Sequence, residues 1–270
     1  MTTLDTTSTT AMGKKKRNDP FGFRPTRRTF DQWVCLWMYP VAMVALTLAM
    51  FTIGPLMPPI APSKNPEEVA EIYRGTSLIS IPIVVLLFVN GLQVPLQGLA
   101  IAFIRKMPRS GKLFGNIYLG VYAAVMLPTT GTLTAIWGVL VLRPERDPAM
   151  IQMLNDVCYL ILIAVISGFL IQYSIIAIAI FVNGGKVLPL WFGYVSVWAA
   201  VSELLFLPAF VWRTGPFAWN GLLDFWLGII IFGIWMVGLV LAIGGAIKDS
   251  VPRVGEPDDA QDNVAQTSFG

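Results

Sequence analysis

The sequence predicts an all-α membrane protein, a bundle of six transmembrane helices with both termini in the cytoplasm. Three observations carry this. Hydrophobic types make up 55% of the 270 residues and charged types only 13%, against about 25% charged in an ordinary soluble chain. The apolar residues fall into six blocks long enough for a bilayer core about 30 Å thick, which takes roughly 20 helical residues to cross. The basic residues are sorted by loop, as the positive-inside rule requires.

The blocks run Trp33–Met57, Ser77–Ile104, Gly115–Leu142, Val157–Val182, Pro189–Trp212 and Asp224–Ala246. None alternates polar with apolar residues, so a membrane β-barrel does not fit. One membrane domain over 32–248 is expected, between a basic segment 1–31 and a polar tail 249–270, both read as disordered and cytoplasmic. The polar Ser/Thr tract and basic run at the start do not read as a secretory signal.

Lys14, Lys15, Lys16, Arg17, Arg24, Arg27 and Arg28 precede the first block. Arg105, Lys106, Arg109 and Lys112 fill the second loop, Lys186 the fourth, and Lys248 and Arg253 follow the last block. The other side holds Lys64, Arg74, Arg143, Arg146 and Arg213, which leaves none of the 19 basic residues for a helix interior. The run KKKR beside a membrane entry point reads as a lipid anchor rather than a nucleic-acid site. The partners expected are the lipid bilayer, a small-molecule ligand and a further membrane protein.

The loops add detail. Asn65 can cap a helix that starts at Pro66, with Glu67 and Glu68 at its positive end and Val69, Ile72 and Tyr73 on one face. Asp147–Pro148 repeats that start signal and can lengthen the fourth block. Phe217 and Trp219 read as interfacial. Trp33, Trp37, Trp191, Phe192, Trp212 and Trp226 read as an aromatic belt. Cys35 at the start of the first helix and Cys158 at the start of the fourth fall on opposite membrane faces, too far apart for a disulfide. FVNG occurs at 88–91 and 181–184, but its unequal placement argues against a repeat.

The polar residues inside the blocks are the candidate site. Glu203 reads as the only acid deep in any helix, and a charge at midplane costs at least about 2.5–3.5 kcal/mol. It must be protonated, face a wet cavity, meet a cation, or hydrogen-bond to a neighbouring helix. Asn90, Gln93 and Gln97 share one helix face at spacings i, i+3 and i+7. Pro95 and Gly91 predict a kink or break there. Pro128 precedes Thr129, Thr130, Thr132 and Thr134, whose hydroxyls can bond back to their own helix. Asn90, Gln93, Thr130, Gln172 and Glu203 fall in one central layer, which predicts a small polar pocket.

Other chemistry is excluded or unsupported. The chain has no His and two Cys, so an imidazole-based triad cannot form and metal-ligand spacing is lacking. No phosphate-binding or dinucleotide-binding glycine motif occurs. No cofactor is expected, and the residues point away from an enzyme.

The loop sequences PPIAPSKNPEEVAEIYR and TGPFAWNG resemble those of uncharacterised bacterial multi-pass integral membrane proteins with no assigned activity. The resemblance implies a bacterial inner membrane and brings no ligand or catalytic residue. The expected function is binding or transport of a small apolar compound or cation. Glu203 would be the protonatable group, with Asn90, Gln93 and Gln172 orienting the ligand. The alternatives are a non-catalytic accessory subunit of a membrane complex and, more remotely, a membrane-embedded enzyme.

Overall fold

A computed structural model describes residues 29–54, 56–76 and 78–250. The expectations for the basic segment before Thr29 and the tail after Ser250 lie outside the described residues. Among the described residues there is no strand, and six helices are long and apolar enough to cross a membrane: Phe30–Ile53, Ser80–Arg105, Gly111–Leu142, Pro148–Val182, Leu190–Phe210 and Leu222–Asp249.

Most of these helices are not uniform. The first is α1 (Phe30–Leu48) closed by a π-helical turn, Ala49–Ile53. A short helix, α2 (Pro66–Gly75), follows in the loop, and α3 (Ser80–Arg105) is the second crossing. The third crossing is α4 (Gly111–Val121), a π turn at Tyr122–Met126, then α5 (Leu127–Leu142). The fourth is α6 (Pro148–Ala164) joined through Val165 to α7 (Ile166–Val182). The fifth is α8 (Leu190–Ser202), which tightens to a 3-10 helix over Glu203–Phe210. The last begins with a π turn, Leu222–Trp226, and continues as α9 (Leu227–Asp249).

α3 packs against α1, α4 and α5; α7 packs against α4 and α8; α9 packs against α8 and returns to α1. The outside of this ring is apolar: Val41, Leu87, Phe88, Val201 and Val237 are each at least 60% exposed. Such a continuous apolar surface would be an aggregation liability in water and is ordinary against acyl chains. The chain is a multi-pass integral membrane protein.

The start signals in the loops are realised. Asn65 caps α2 by accepting from the Glu68 N–H at 2.9 Å, while the Glu68 carboxylate accepts from the Asn65 N–H at 3.0 Å. Val69, Ala70 and Tyr73 face inward. Asp147 caps α6 at the Ala149 N–H, so the loop signal lengthens the fourth crossing. Through Pro95, by contrast, α3 runs without a break in the helix. The expected disruption appears instead ahead of Pro128, as the π turn Tyr122–Met126. Pro128 lacks an N–H, and its ring crowds the preceding turn.

One end of the bundle is a built cap. Tyr159 donates to the Leu56 carbonyl, Trp219 to Ile60, Gln152 to Lys64, and Arg213 to Pro62. Arg74 donates to the carbonyls of Pro144 and Arg146. Tyr73 donates to Asn155 at 2.9 Å, and burial pushes the Tyr73 phenol well above its usual range. Trp219 is therefore a buried brace, stacked on Tyr159, and not the interfacial residue expected. Trp33 and Phe192 are likewise in the core, whereas Trp37, Trp191, Trp212 and Trp226 are exposed as a belt would be.

The opposite end is held by Asn183. Helix α7 ends in a left-handed turn: the Gly185 N–H reaches the Ile180 carbonyl and the Gly184 N–H reaches Phe181, both at 3.1 Å. Gly184 and Gly185 have φ of +63° and +72°, which glycine adopts freely. The Asn183 side chain accepts from the Arg109 N–H at 2.7 Å and donates to the carbonyls of Arg109 and Ala179. This fixes the second loop to the fourth. Cys35 and Cys158 are both free thiols.

Candidate functional site: a buried acid pair among phenols

The polar residues picked out in the sequence fall into two groups. Asn90 on α3 donates to the Thr134 hydroxyl at 2.7 Å and to the Thr130 carbonyl at 3.3 Å on α5. The Gln93 amide reaches the Thr130 hydroxyl at 3.5 Å. Thr129, Thr130, Thr132 and Thr134 also bond back to carbonyls of their own chain segment. This group is a clamp between two helices, and its donors are largely occupied. Gln97, one turn further along α3, accepts from the Tyr118 hydroxyl at 2.7 Å on α4.

The second group surrounds Glu203. Thirteen residues of α8 precede it, about 20 Å at 1.5 Å per residue. The eight 3-10 residues that begin with Glu203 follow, about 16 Å at 2 Å per residue. Glu203 thus lies somewhat past the middle of its helix, toward the end that leads to the cap. Pro208 supplies a local reason for the tightening, because it cannot donate to an i−4 carbonyl. The side chain is 5% exposed, and among the described residues no hydrogen-bond donor or basic group meets it.

Its neighbour is a second acid. The 3-10 segment packs against the π turn Leu222–Trp226, and Asp224 on that turn lies within electrostatic reach of Glu203. Asp224 is 8% exposed, and its Oδ1 has no partner. Glu203 is therefore not the lone deep acid that the sequence reading takes it to be. A signal for Asp224 exists in the sequence: Asp224, Gly228, Ile231, Trp235 and Leu239 recur every three or four residues. That is one helix face, and Ile231, Trp235 and Leu239 are all buried. Phe206 packs beside Gly228, so the two elements are close at a level between the two acids.

Phenols and amides line the other side. Tyr173 on α7 is fully buried and lies within electrostatic reach of Glu203. Its ring is held by Trp235, centroids 4.5 Å apart, and by Phe169 at 5.5 Å. Trp235 in turn donates to Ser196. The Tyr173 and Tyr122 hydroxyls and the Gln172 Nε2 have no hydrogen-bond partner. Of the six residues expected to form the site, Glu203 stands with Asp224 and Tyr173. Asn90, Gln93, Thr130 and Gln97 are bonded to other helices, and Gln172 keeps an unused donor.

Between α7 and α8 runs an open apolar groove of about 270 Å³, with Leu170, Ser174, Ile178, Val197, Val201 and Leu204 in its walls. Leu204 directly follows Glu203. Among the described residues no group of three or more His, Cys, Asp and Glu side chains gathers to hold a metal ion. No protein-family model matches the chain, and no curated protein or solved structure matches it.

Proposed function

We propose that the protein binds a proton or a small cation at Glu203 and Asp224, and that this site serves the binding or transport of the cation itself or of a small apolar compound. What carries the reading is that two buried acids stand on two elements packed against each other inside an apolar bundle. Ionised carboxylates are expensive in such a setting unless something neutralises them. Gln172, with its unused donor, is the ligand-orienting residue of this reading. The apolar groove between α7 and α8, which Leu204 lines, gives an apolar compound a place one residue along the chain from Glu203. The segregation of basic residues favours both termini in the cytoplasm, and the loop resemblance favours a bacterial inner membrane.

The accessory-subunit reading has one observation in its favour. Asn90, Gln93, Thr130 and Gln97 spend their polar groups on neighbouring helices, as packing residues do. Carbodiimide labelling separates the two readings. Dicyclohexylcarbodiimide adds to protonated carboxyls in apolar surroundings, and peptide mass spectrometry locates the adduct. On the full-length protein in detergent, labelling at Glu203 or Asp224 that declines as pH or Na⁺ rises supports the site. Unlabelled acids, or labelling indifferent to both, would remove it and leave a packing role.

A further inference from the structure

We infer that the groove between α7 and α8 holds one acyl chain of an anionic phospholipid whose phosphate sits at Lys186. The inference rests on the groove of the proposed function, narrows its apolar compound to a lipid, and does not depend on the acids.

The groove has the depth of one leaflet. Its wall on α7 runs from Leu170 to Phe181, about 16 Å at 1.5 Å per residue, and half of a bilayer core is about 15 Å. Phe181 stands one residue before the end of α7, so the groove opens at headgroup level and ends near the middle of the membrane. Ile178, Val197, Val201 and Leu204 along it are all exposed. An apolar trough of this length, open to the bilayer along its side, matches an extended hydrocarbon chain rather than a compact molecule.

The mouth matches the polar part of a lipid. The Tyr194 ring packs on Phe181, centroids 5.0 Å apart, and is 67% exposed. A helical side chain leans toward the N-terminus of its own helix, so the Tyr194 phenol points to the start of α8, the headgroup side. There its hydroxyl is a donor for an ester carbonyl, at the level where tyrosine is enriched in membrane proteins. The turn 183–189 that joins the two helices carries a single charge, Lys186, which is exposed. A lysine beside a helix end extends its ammonium into the headgroup layer. Trough, phenol and ammonium therefore follow one another along a single hairpin, as tail, ester and phosphate do along a lipid.

A second copy of the chain suits this surface less well. Two copies in one membrane share an orientation, and a symmetric contact through the groove brings both Lys186 ammoniums to the same membrane face. Like charges repel there, whereas a phosphate is attracted.

The test is native mass spectrometry of the full-length protein in detergent, incubated with equal amounts of dioleoylphosphatidylglycerol and dioleoylphosphatidylcholine. The two lipids share their tails and differ in net charge. Wild-type protein retains one lipid and favours phosphatidylglycerol by about fivefold, the effect of one lysine beside an anionic headgroup. Lys186→Gln brings the ratio close to one, whereas Lys64→Gln at the capped end leaves it unchanged. Ser174→Phe fills the groove from α7 and lowers retention of both lipids. A measurement on the wild type needs no variant to fold: phosphatidylglycerol with a diazirine in its acyl chain, irradiated and digested, labels peptides from 170–181 and 197–204. Equal retention of the two lipids by the wild type, unchanged retention in a Ser174→Phe protein that melts like the wild type, or label spread evenly around the bundle marks annular lipid only and overturns the inference. A lipid-free dimer that Ser174→Phe dissociates gives the groove to a second copy and overturns it too. Carbodiimide labelling of the acids is read separately, so the lipid groove can fail while the acid site stands, and the reverse.

Discussion

Asn183→Ala tests whether one side chain holds two loops together. The asparagine is 6% exposed and makes three hydrogen bonds: from the Arg109 N–H at 2.7 Å, to the Arg109 carbonyl at 3.0 Å and to the Ala179 carbonyl at 2.8 Å. At about 0.5–1.5 kcal/mol net per bond, their loss destabilises by about 1.5–4.5 kcal/mol. The Ala179 carbonyl belongs to the last turn of α7, where the helix supplies no partner of its own. A thermal melt in detergent reads the change. At about 2–4 °C per kcal/mol for a chain of this size, the midpoint falls by at least 3 °C. Asn183→Asp keeps the acceptor for the Arg109 N–H but loses both donors and sets a carboxylate against two carbonyls, so it falls at least as far. A midpoint for Asn183→Ala within about 1 °C of wild type would show that the loops are fixed by something else.

Two further perturbations address the two ends of the bundle. Ser110 holds a left-handed φ of 57° in the loop that Asn183 grips, so Ser110→Gly should stabilise by about 1 kcal/mol, read as a raised melting midpoint. Tyr73→Phe leaves the buried Asn155 oxygen without its phenol donor and should loosen the cap, read as faster proteolysis between 56 and 65. The Tyr73 hydroxyl titrates higher in the folded protein than in the unfolded chain. Its contribution is therefore complete below about pH 10 and fades as pH climbs through the folded value. Protection of the wild-type cap should weaken in that alkaline range, and the Tyr73→Phe cap should show less of this dependence.

The six crossings were legible because their signal is local. A run of apolar residues of bilayer length has few other uses, and the starts at Asn65–Pro66 and Asp147–Pro148 are equally local, since a cap and its helix lie within three residues. What sequence could not display was pairing across distance. Trp219 and Tyr159 look like ordinary membrane-interface aromatics until the loop carbonyls of Ile60 and Leu56 are brought against them. Asn90 and Asn183 sit in the same FVNG tetrapeptide, yet one clamps α3 to α5 and the other ties two loops. Their tasks are set by the surroundings and not by the motif. Asp224 was overlooked because it stands at the edge of an apolar block, where an acid is usually solvated. Its place one turn before Gly228, in line with the periodic buried face of α9, was the available signal.

The helix irregularities bear on why these acids can be where they are. A regular α-helix satisfies its own backbone and presents only side chains to its neighbours, so it brings no additional polar atoms to a buried charge. A π turn or a 3-10 segment changes the backbone pairing and re-aims the side chains around it. Glu203 is the first residue of the 3-10 segment, Asp224 lies inside one π turn and Tyr122 opens another. The π turn Ala49–Ile53 is the counterexample, since it ends a helix and carries no titratable group. Irregular winding alone is therefore no mark of a site. What distinguishes the 3-10 segment and the π turn Leu222–Trp226 is that they pack against each other and each carries a buried acid. Packing alone would favour replacing those groups with apolar side chains of similar volume. Two buried acids on two packed elements of an apolar bundle are therefore costly for packing alone, which is why the carbodiimide test is aimed at them.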